Sequence, residues 1–358
     1  MNKLKVLQLI DSLNVGGAEV LAVNIANSLA NYENIESFLC VTRKEGELKK
    51  SIQSNVRYLF LKKKKIIDFS SVFLLRKFIK ENKIQILHAH STSFFIALCV
   101  KLIYSNVKIV WHDHYGNSDF LYKRNVFSLK LSSYFFSQII SVNHKLERWA
   151  KENLRCNKVL FVNNFPIFNT TNNETKLLGI ANKRIVHVAG YREQKDHINL
   201  LKAFKIVLKE HTEWTLHLIG KDYENEYSSL IHEFIIKEEI NESVFQYGVC
   251  SDIENILAQS TLGVLSSNSE GLPIALLEYG LAKIPAIVTD VGECAKVVGC
   301  LGAVVPPKNH LLLSEVIINL INDKNSQIEF AKIFNENVQE YYSKEKVINE
   351  LIKIYKEC

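Results

Sequence analysis

The sequence predicts an α/β protein of two domains, each built on a parallel β-sheet that is wound on both faces by helices. Its 358 residues are too many for one ordinary hydrophobic core and suit two domains of typical size. Short segments rich in β-branched residues alternate with helical segments, which is typical of parallel sheets. The alternation stops in a polar, Asn- and Thr-rich segment, residues 166–183, and then begins again. We therefore expect a linker in that segment.

The first predicted domain comprises residues 1–165 and the second comprises residues 184–342. Amphipathic helices, for instance at 19–29 and 72–80, fill the gaps between the strands of the first domain. Its predicted strands are 5–10, 37–41, 56–61, 84–88, 108–112, 138–142 and 158–162. Those of the second domain are 185–189, 214–219, 244–247, 262–265 and 284–289.

Composition excludes several classes of protein. The chain is 47% apolar and 23% charged, which is globular rather than disordered. Its longest apolar stretches, such as 94–100, are much shorter than a membrane span. The N-terminal apolar run is interrupted by Gln8 and Asp11, unlike a signal peptide. Seven cysteines without a C-x-x-C pair indicate reduced thiols, so we expect a cytoplasmic protein.

The net charge of +6 is mild, and its main cluster is the lysine run at residues 62–65. Such a run is either a solvated loop or a patch that meets anionic phospholipid headgroups, where each basic residue contributes about 1 kcal/mol. No recognised nucleic-acid motif accompanies the run, so we do not expect a nucleic-acid partner.

The most informative segment is residues 269–289, which combines a predicted helix start with a following buried strand. Pro273 suits the first helical position, because its φ is fixed near a helical value and its missing N–H is not needed there. Gly271 lets the backbone approach a ligand closely. The free N–H groups at this helix start, including those of Leu272 and Ile274, form an anion site suited to a phosphate.

Two carboxylates, Glu270 and Glu278, lie eight positions apart on either side of this helix start. A phosphate would repel them, so each is better suited to accept hydrogen bonds from neutral hydroxyls. Two hydroxyl-rich groups that flank a diphosphate describe a nucleotide sugar. The alternative is two solvated glutamates on an ordinary amphipathic helix. The accompanying Ser269, Gly271, Pro273 and strand favour a nucleotide-sugar site.

This segment resembles the retaining GT-B glycosyltransferases of glycosyltransferase family 4, and the resemblance extends over nearly the whole chain. Glu270 and Glu278 match the family's E-x7-E element, and Gly16-Gly17-Ala18-Glu19 matches its opening loop. Other pieces that read like their family counterparts are 188–197, 289–299 and 302–307.

The resemblance implies two Rossmann-like domains that face each other across a cleft, with the last helix, about 343–358, packed back on the first domain. It places the acceptor on the first domain and the nucleotide-sugar donor on the second. It further implies a metal-independent reaction without a cofactor, in which the donor is a nucleotide-diphosphate sugar. Similar transferases often act on lipid-linked acceptors.

Gly16 and Gly17 follow the first predicted strand, where consecutive glycines let backbone N–H groups close on an anion or a sugar. They are either part of a ligand site or a tight turn before a helix. Because the sequence here is not the G-x-G-x-x-G fingerprint, a dehydrogenase loses its main support. The resemblance assigns both glycines to the substrate site.

Basic residues are needed to stabilise a diphosphate leaving group. Lys195 matches the diphosphate-binding lysine of the family. The arginine that the family usually has five residues earlier is Gly190 here. Arg192 either replaces that arginine or is a surface residue. By the same resemblance, Glu278 holds the ribose diol and Glu270 holds a hydroxyl of the donor sugar.

Two H-x-H pairs, His88 with His90 and His112 with His114, end two predicted strands. Alternate residues share a strand face, so the four rings are candidates for a zinc site. H-x-H pairs alone are weak evidence, and we predict no metal. The resemblance instead suggests that His114 approaches the transferred sugar and that His90 lines the acceptor side. His88 and His112 are expected to be structural.

The sequence therefore predicts a retaining hexosyltransferase that is peripheral to the membrane and acts on a lipid-linked or surface saccharide. Front-face attack without a covalent enzyme intermediate is the implied mechanism. One alternative is a hydrolysing nucleotide-sugar epimerase on the same fold. Another is a non-catalytic nucleotide-sugar-binding subunit, which the missing arginine at Gly190 would favour.

Overall fold

The computed structural model describes residues 3–168, 173–299 and 303–358. The chain forms two units, of which unit 1 comprises residues 1–164 and 344–358 and unit 2 comprises residues 165–343. Part of the predicted linker, residues 169–172, lies outside the described residues, as do Cys300 and Gly302. The other six cysteines form no disulfide. In the described part of the chain, no helix is long and apolar enough to cross a membrane.

Unit 1 contains a seven-stranded sheet whose strands all pair in parallel, in the order β3-β2-β1-β4-β5-β6-β7. The central strand β1 is buried from residue 6 to residue 10, as expected of a sheet that helices cover on both faces. The strands are β1 Leu4–Ser12, β2 Ile35–Lys44, β3 Arg57–Phe60, β4 Ile86–His90, β5 Lys108–Asp113, β6 Phe136–Ser141 and β7 Val159–Phe161.

The helices of unit 1 include the last helix of the chain, whose Tyr355 is buried and contacts His88 of β4. They are α1 Gly17–Leu29, α2 Phe69–Asn82, α3 Phe94–Ile103, α4 Phe127–Ser132, α5 His144–Asn153 and α13 Lys344–Lys356.

Unit 2 contains a six-stranded parallel sheet in the order β10-β9-β8-β11-β12-β13. Its strands are β8 Arg184–Val188, β9 Thr215–Ile219, β10 Val244–Gly248, β11 Leu262–Leu265, β12 Ala286–Thr289 and β13 Ala303–Val305. Its helices are α6 His197–Val207, α7 Glu226–Lys237, α8 Ile253–Ala258, α9 Ile274–Leu281, α10 Cys294–Val298, α11 His310–Asn322 and α12 Lys324–Tyr341.

Both sheets reverse their strand order at one point, between β1 and β4 in unit 1 and between β8 and β11 in unit 2. In open α/β sheets, ligands bind beyond the carboxyl ends of the strands at such a point. The prediction of two Rossmann-like α/β domains is confirmed. Ligand sites are therefore expected at the loops after these four strands.

The described part of the predicted linker packs against unit 2. Leu177 is 1% exposed in the hydrophobic core of that unit. Asp252 accepts hydrogen bonds from the backbone N–H groups of Glu174 and Thr175 at 3.0 and 2.8 Å. Although its sequence is polar, this segment is therefore fixed by part-buried hydrogen bonds and belongs to unit 2.

The strands β4 and β12 begin two residues later than predicted, for one physical reason. Lys83 and Lys283 adopt left-handed φ values of 54° and 59° after α2 and α9. The next residue, Ile84 or Ile284, then donates its N–H to the carbonyl of Ile79 or Tyr279, which closes a Schellman motif. These apolar residues therefore belong to helix ends, and the strands start two residues further on. The short strand β13 was not predicted.

Candidate active site

The loops after β8 and β11 meet at the point where the sheet of unit 2 reverses its strand order. β8 pairs with β11, so the carboxyl ends of these strands are adjacent. After β8 the chain forms a 3-10 turn, Glu193–Lys195, and α6 follows. The N–H of Asn268 donates to the Gln194 carbonyl at 2.7 Å, and the Ser266 hydroxyl donates to the Lys195 carbonyl at 3.1 Å. These bonds hold the two loops together.

Lys195 and Glu270 form an ion pair at this place. The ammonium Nζ lies 2.6 Å from Glu270 Oε1, and the Ser267 hydroxyl donates to the same oxygen at 2.6 Å. Glu270 is only 4% exposed, whereas Lys195 is half-buried. An ammonium group has three donors, so Lys195 can contact a further anion while it remains bonded to Glu270. The pair neutralises a carboxylate that would otherwise repel a phosphate.

Helix α9 follows this loop and begins at Ile274, one residue later than the prediction that put Pro273 in the first helical position. Pro273 is instead the N-cap residue, with extended dihedral angles of φ −73° and ψ 124°. Its carbonyl accepts from the N–H groups of Leu276 and Leu277. The N–H groups of Ile274 and Ala275, in the first turn, have no acceptor within the helix and suit an anion.

The side chains of Leu272 and Ile274 are buried, so only their backbone groups are available to a ligand. The loop also needs close backbone contact with a neighbouring turn. Gly292 has a φ of +55°, and a Cβ there would lie 2.4 Å from the Glu270 carbonyl oxygen and 2.5 Å from that of Gly271. Glu293 donates its N–H to the Gly271 carbonyl at 3.0 Å.

Glu278 lies in the second turn of α9 and is half-buried. Its carboxyl group forms no hydrogen bond or ion pair with another residue in the described part of the chain. Burial raises the pKa of this carboxyl group from 4.5 to about 7. A half-buried acid with a raised pKa and no partner is costly to the empty protein, so such an acid is a candidate for ligand binding.

The region of Gly190 is occupied by a tyrosine that the sequence did not indicate. A Cβ on Gly190 would lie 3.2 Å from Cε2 of Tyr223. The Arg192 guanidinium stacks on the same ring at 4.9 Å and donates to its hydroxyl at 2.5 Å. Lys221 lies 5.7 Å from the ring centroid. The Arg192 guanidinium is thus an exposed group held by Tyr223. Among the described residues, Arg192 is joined to Lys195 only through the backbone, where the Lys195 N–H donates to the Arg192 carbonyl at 2.8 Å.

In unit 1, the glycine loop follows β1 as predicted. Gly16 is the extended N-cap of α1, and Gly17 is the first residue of that helix. A Cβ on Gly16 would lie 2.5 Å from Oε2 of Glu19, whereas one on Gly17 would meet no atom within 4 Å. A side chain at position 16 would therefore displace the Glu19 carboxylate, and Gly17 leaves open space at the helix start.

The four predicted histidines come together at the carboxyl ends of β4 and β5. His88 Nδ1 lies 2.7 Å from the Tyr355 hydroxyl, and its Nε2 lies 3.2 Å from His112 Nδ1. His90 Nδ1 lies 2.9 Å from His114 Nε2. The rings stack, with centroids of His88 and His90 4.4 Å apart and those of His112 and His114 4.0 Å apart.

Burial keeps this cluster neutral. It lowers the pKa of His88 and of His114 to about 3, and it lowers those of His90 and His112 well below the usual value. His88, His90 and His112 are fully buried, and His114 is half-buried. The structural role expected for His88 and His112 fits this burial. His90, which was expected to line the acceptor side, instead lies behind His114, because both of its ring nitrogens are bonded internally.

Three of these rings meet a geometric requirement for a metal site. His88, His90 and His112 each offer a ligand atom, and these atoms lie within 4.8 Å of one another. Neutral imidazoles are the form that binds zinc. Against this, His88 and His90 use both ring nitrogens in hydrogen bonds within the protein. His112 Nε2, by comparison, is buried and has no hydrogen-bond partner among the described residues.

Three residues of this arrangement were missed by the sequence reasoning: Ser267, Tyr223 and Gln8. Ser267 belongs to a run of hydroxyl residues after β11, which was an available signal. Gln8, a polar residue in the apolar strand β1, was another, since a buried amide needs partners. The pairing of β8 with β9 brings Tyr223 to Gly190, and no local sequence pattern predicts this contact.

Both halves of the chain match models of glycosyltransferase families. Residues 15–165 match the model described as Glycosyltransferase Family 4, and residues 171–341 match the model described as Glycosyl transferases group 1. The parallel sheets, the E-x7-E element and these matches define the class of protein. The chain belongs to the GT-B glycosyltransferases, and the family 4 resemblance is confirmed.

Individual relatives agree with this assignment. WbnH, an O-antigen biosynthesis glycosyltransferase of Escherichia coli, is 26% identical over 293 residues, covering 79% of this chain and 80% of that protein. A glycosyltransferase of Haemophilus influenzae is 23% identical over 283 residues, covering 76% and 77%. The crystal structure of Anabaena HepE in complex with UDP and glucose is 15% identical and has a TM-score of 0.82, over 99% of this chain and 100% of that one. This last likeness shows the fold.

Proposed function

We propose that this glycosyltransferase is a retaining, metal-independent enzyme that moves a hexose from a nucleotide-diphosphate sugar to a lipid-linked or surface saccharide. The observation that carries the proposal is the pairing of Lys195 with Glu270 beside the start of α9, with the unpaired Glu278 one turn further on. HepE, which shares the fold, is described in complex with UDP and glucose, and WbnH is described as an O-antigen enzyme. The HepE complex supports a UDP-hexose donor, and the description of WbnH supports a polysaccharide product.

The donor would be held by groups of opposite character. The first-turn N–H groups of α9 and the Lys195 ammonium would bind the diphosphate. The carboxylate of Glu278 would accept hydrogen bonds from the ribose diol, and Glu270 would accept one from a hydroxyl of the sugar. Because Lys195 already neutralises Glu270, a phosphate can bind near this carboxylate at low electrostatic cost.

The chemistry would need no covalent enzyme nucleophile. The bond between the anomeric carbon and the phosphate oxygen breaks, and the acceptor hydroxyl forms the new bond on the same face. The proton of that hydroxyl passes to the departing phosphate oxygen. Lys195 and the α9 start would stabilise the charge that develops on the diphosphate, which is the role that a metal ion has in other enzymes.

A time course with UDP-glucose tests the proposal. We expect UDP release only when a saccharide-lipid acceptor is present, no loss of rate in EDTA, and a product whose anomeric configuration by NMR equals that of the donor. UDP release without acceptor, together with an epimerised sugar, would indicate the hydrolysing epimerase. Tight UDP binding without turnover on any acceptor would indicate a non-catalytic subunit. An inverted product would refute the retaining mechanism.

We also propose that unit 1 meets an anionic membrane through residues 64–74, which we call the basic–apolar segment. It lies between β3 and the first turns of α2, at the carboxyl edge of the sheet. Lys64 and Lys65 are exposed, and they are followed by Ile66 and Phe69, which are 71% and 70% exposed. Lys63, by contrast, is buried, so not every lysine of the run at residues 62–65 belongs to a solvated loop.

Exposed apolar side chains beside lysines suit an anionic bilayer, since the former insert and the latter contact headgroups. The double variant Ile66→Ser with Phe69→Ser should reduce sedimentation with vesicles that contain phosphatidylglycerol. The matched control is Leu230→Ser on α7 of unit 2, where an apolar residue is 54% exposed away from any lysine run. Equal sedimentation of all three proteins would remove the membrane proposal.

A further inference from the structure

His114 is the part of the histidine cluster that reaches the surface, and a hydrogen-bonded chain connects it to Gln8 in β1. Gln8 is fully buried, and its Oε1 lies 2.8 Å from His90 Nε2. His90 Nδ1 in turn lies 2.9 Å from His114 Nε2. The chain ends at His114 Nδ1, which makes no hydrogen bond to another described residue.

The direction of each bond follows from the first one. An amide oxygen only accepts, so His90 Nε2 must carry the hydrogen. Because burial keeps His90 neutral, its Nδ1 then bears a lone pair and accepts. His114 Nε2 must therefore donate, and neutral His114 bears its own lone pair on Nδ1. One glutamine oxygen thus sets the tautomers of two histidines.

We propose that Gln8 is a positioning residue that acts through His90 to fix His114 in the Nε2–H tautomer, so that His114 Nδ1 accepts a hydrogen bond from a sugar hydroxyl. The identity of the ligand in this inference rests on the proposed function. The assignment of the tautomer does not depend on that function. A hydroxyl in such a bond keeps its proton, so His114 orients the sugar and transfers no proton itself.

A second branch of the cluster provides an internal control. Tyr355 contacts His88, and His88 contacts His112, without a hydrogen bond to His90 or His114. The Tyr355 hydroxyl also interacts with the Gln8 side chain, but its loss leaves the bond from His90 Nε2 to Gln8 Oε1 in place. Loss of this hydroxyl should disturb His88 and His112 and leave the tautomer of His114 intact. Loss of the Gln8 amide should instead change the tautomer of His114.

The tautomers can be read directly by long-range proton–nitrogen NMR of the full-length protein labelled with 15N-histidine, at neutral pH and after EDTA. The His114 signals are assigned by their loss in His114→Asn. We expect Nε2–H for His114 in the wild type, a mixture or Nδ1–H in Gln8→Met, and the wild-type pattern in Tyr355→Phe. Nδ1–H in the wild type, or no change in Gln8→Met, would overturn the proposal. So would a stoichiometric metal found by elemental analysis before EDTA treatment, because an ion on His88, His90 and His112 would dictate other tautomers.

Turnover separates this inference from the proposed function. Gln8→Met should lower kcat about two- to tenfold, which is the effect of one hydrogen bond, with little change in KM for the donor. Tyr355→Phe should keep the wild-type kcat. A changed tautomer with unchanged kcat would overturn the role of His114 Nδ1 in sugar binding while the tautomer assignment stands. No turnover in the wild type on any acceptor would refute the proposed function alone, since the NMR result is independent of it.

Discussion

Glu278 offers the sharpest test of the donor site, because the structure gives it opposite effects on stability and on binding. Its carboxyl group is half-buried, has no internal partner among the described residues, and has its pKa raised by burial from 4.5 to about 7. The isosteric change Glu278→Gln removes the charge. We expect it to stabilise the empty protein above neutral pH and to weaken nucleotide binding.

The sign and size of the stability effect follow from proton linkage. Between pH 4.5 and 7 the native state holds a proton that the unfolded state has lost, so wild-type stability falls as pH rises through this range. At about 1.4 kcal/mol per pH unit, the rise to about 7 corresponds to about 3 kcal/mol. Water reaches this half-buried group, so we expect about 1–2 kcal/mol. For a domain of this size, that is a Tm gain of about 2–8 °C.

The assay is thermal unfolding of wild type, Glu278→Gln and the control Glu254→Gln, which makes the same change at an exposed site on α8. The gain in Tm of Glu278→Gln over wild type should be present at pH 8 and absent near pH 4.5. Glu254→Gln should show no gain at either pH. The Kd for UDP should rise about ten- to a hundredfold, since hydrogen bonds to a charged acceptor are lost. A gain of equal size at both pH values would refute the burial argument, and an unchanged Kd would refute the ribose assignment.

Three further predictions concern the same unit. Lys195→Met should destabilise the protein by about 3 kcal/mol in urea unfolding, because the buried Glu270 carboxylate loses its cation. Lys195→Met with Glu270→Gln should recover stability but not turnover. Gly190→Arg should lower kcat/KM by displacing Tyr223, and the further change Tyr223→Ala should restore kcat/KM. A higher kcat/KM in Gly190→Arg alone would contradict this expectation. Gly292→Ala should cost about 1–3 kcal/mol more than Gly248→Ala, since both have positive φ but only the former meets backbone atoms.

The fold was largely predictable because local patterns carry it. Continuous apolar runs marked the strands, and helical periodicity marked the segments between them, so twelve strands were found near their observed positions. The errors fall where two patterns compete. Ile84 and Ile284 look like strand residues, yet they close helix ends after left-handed lysines, a conformation that β-propensity does not reveal. Residues 173–183 look like a linker because they are polar, and their part-buried bonds to Asp252 join positions too far apart in sequence for a local pattern to reveal.

The candidate site also has a part that local patterns predict and a part that depends on contacts between distant residues. The E-x7-E element lies on one loop and one helix, so its residues and their chemistry could be predicted from a single segment. The pairing of Lys195 with Glu270 joins residues 75 positions apart. Gln8 and His90 are 82 positions apart. Tyr223 fills the space beside Gly190 because β8 and β9 are neighbours. Such contacts follow from strand order, and only the folded chain supplies it.

The proposed donor site combines two carboxylates with a bound anion, and the structure treats the two differently. Glu270 is neutralised by Lys195, whose ammonium lies 2.6 Å from Glu270 Oε1. Glu278 has no cation, and burial instead favours its neutral form until neutral pH. Binding of a diol would favour the charged form, because two hydroxyls then replace the lost water. UDP affinity should therefore rise with pH through about 7 in the wild type and stay flat in Glu278→Gln. A flat profile in both proteins would place the ribose elsewhere.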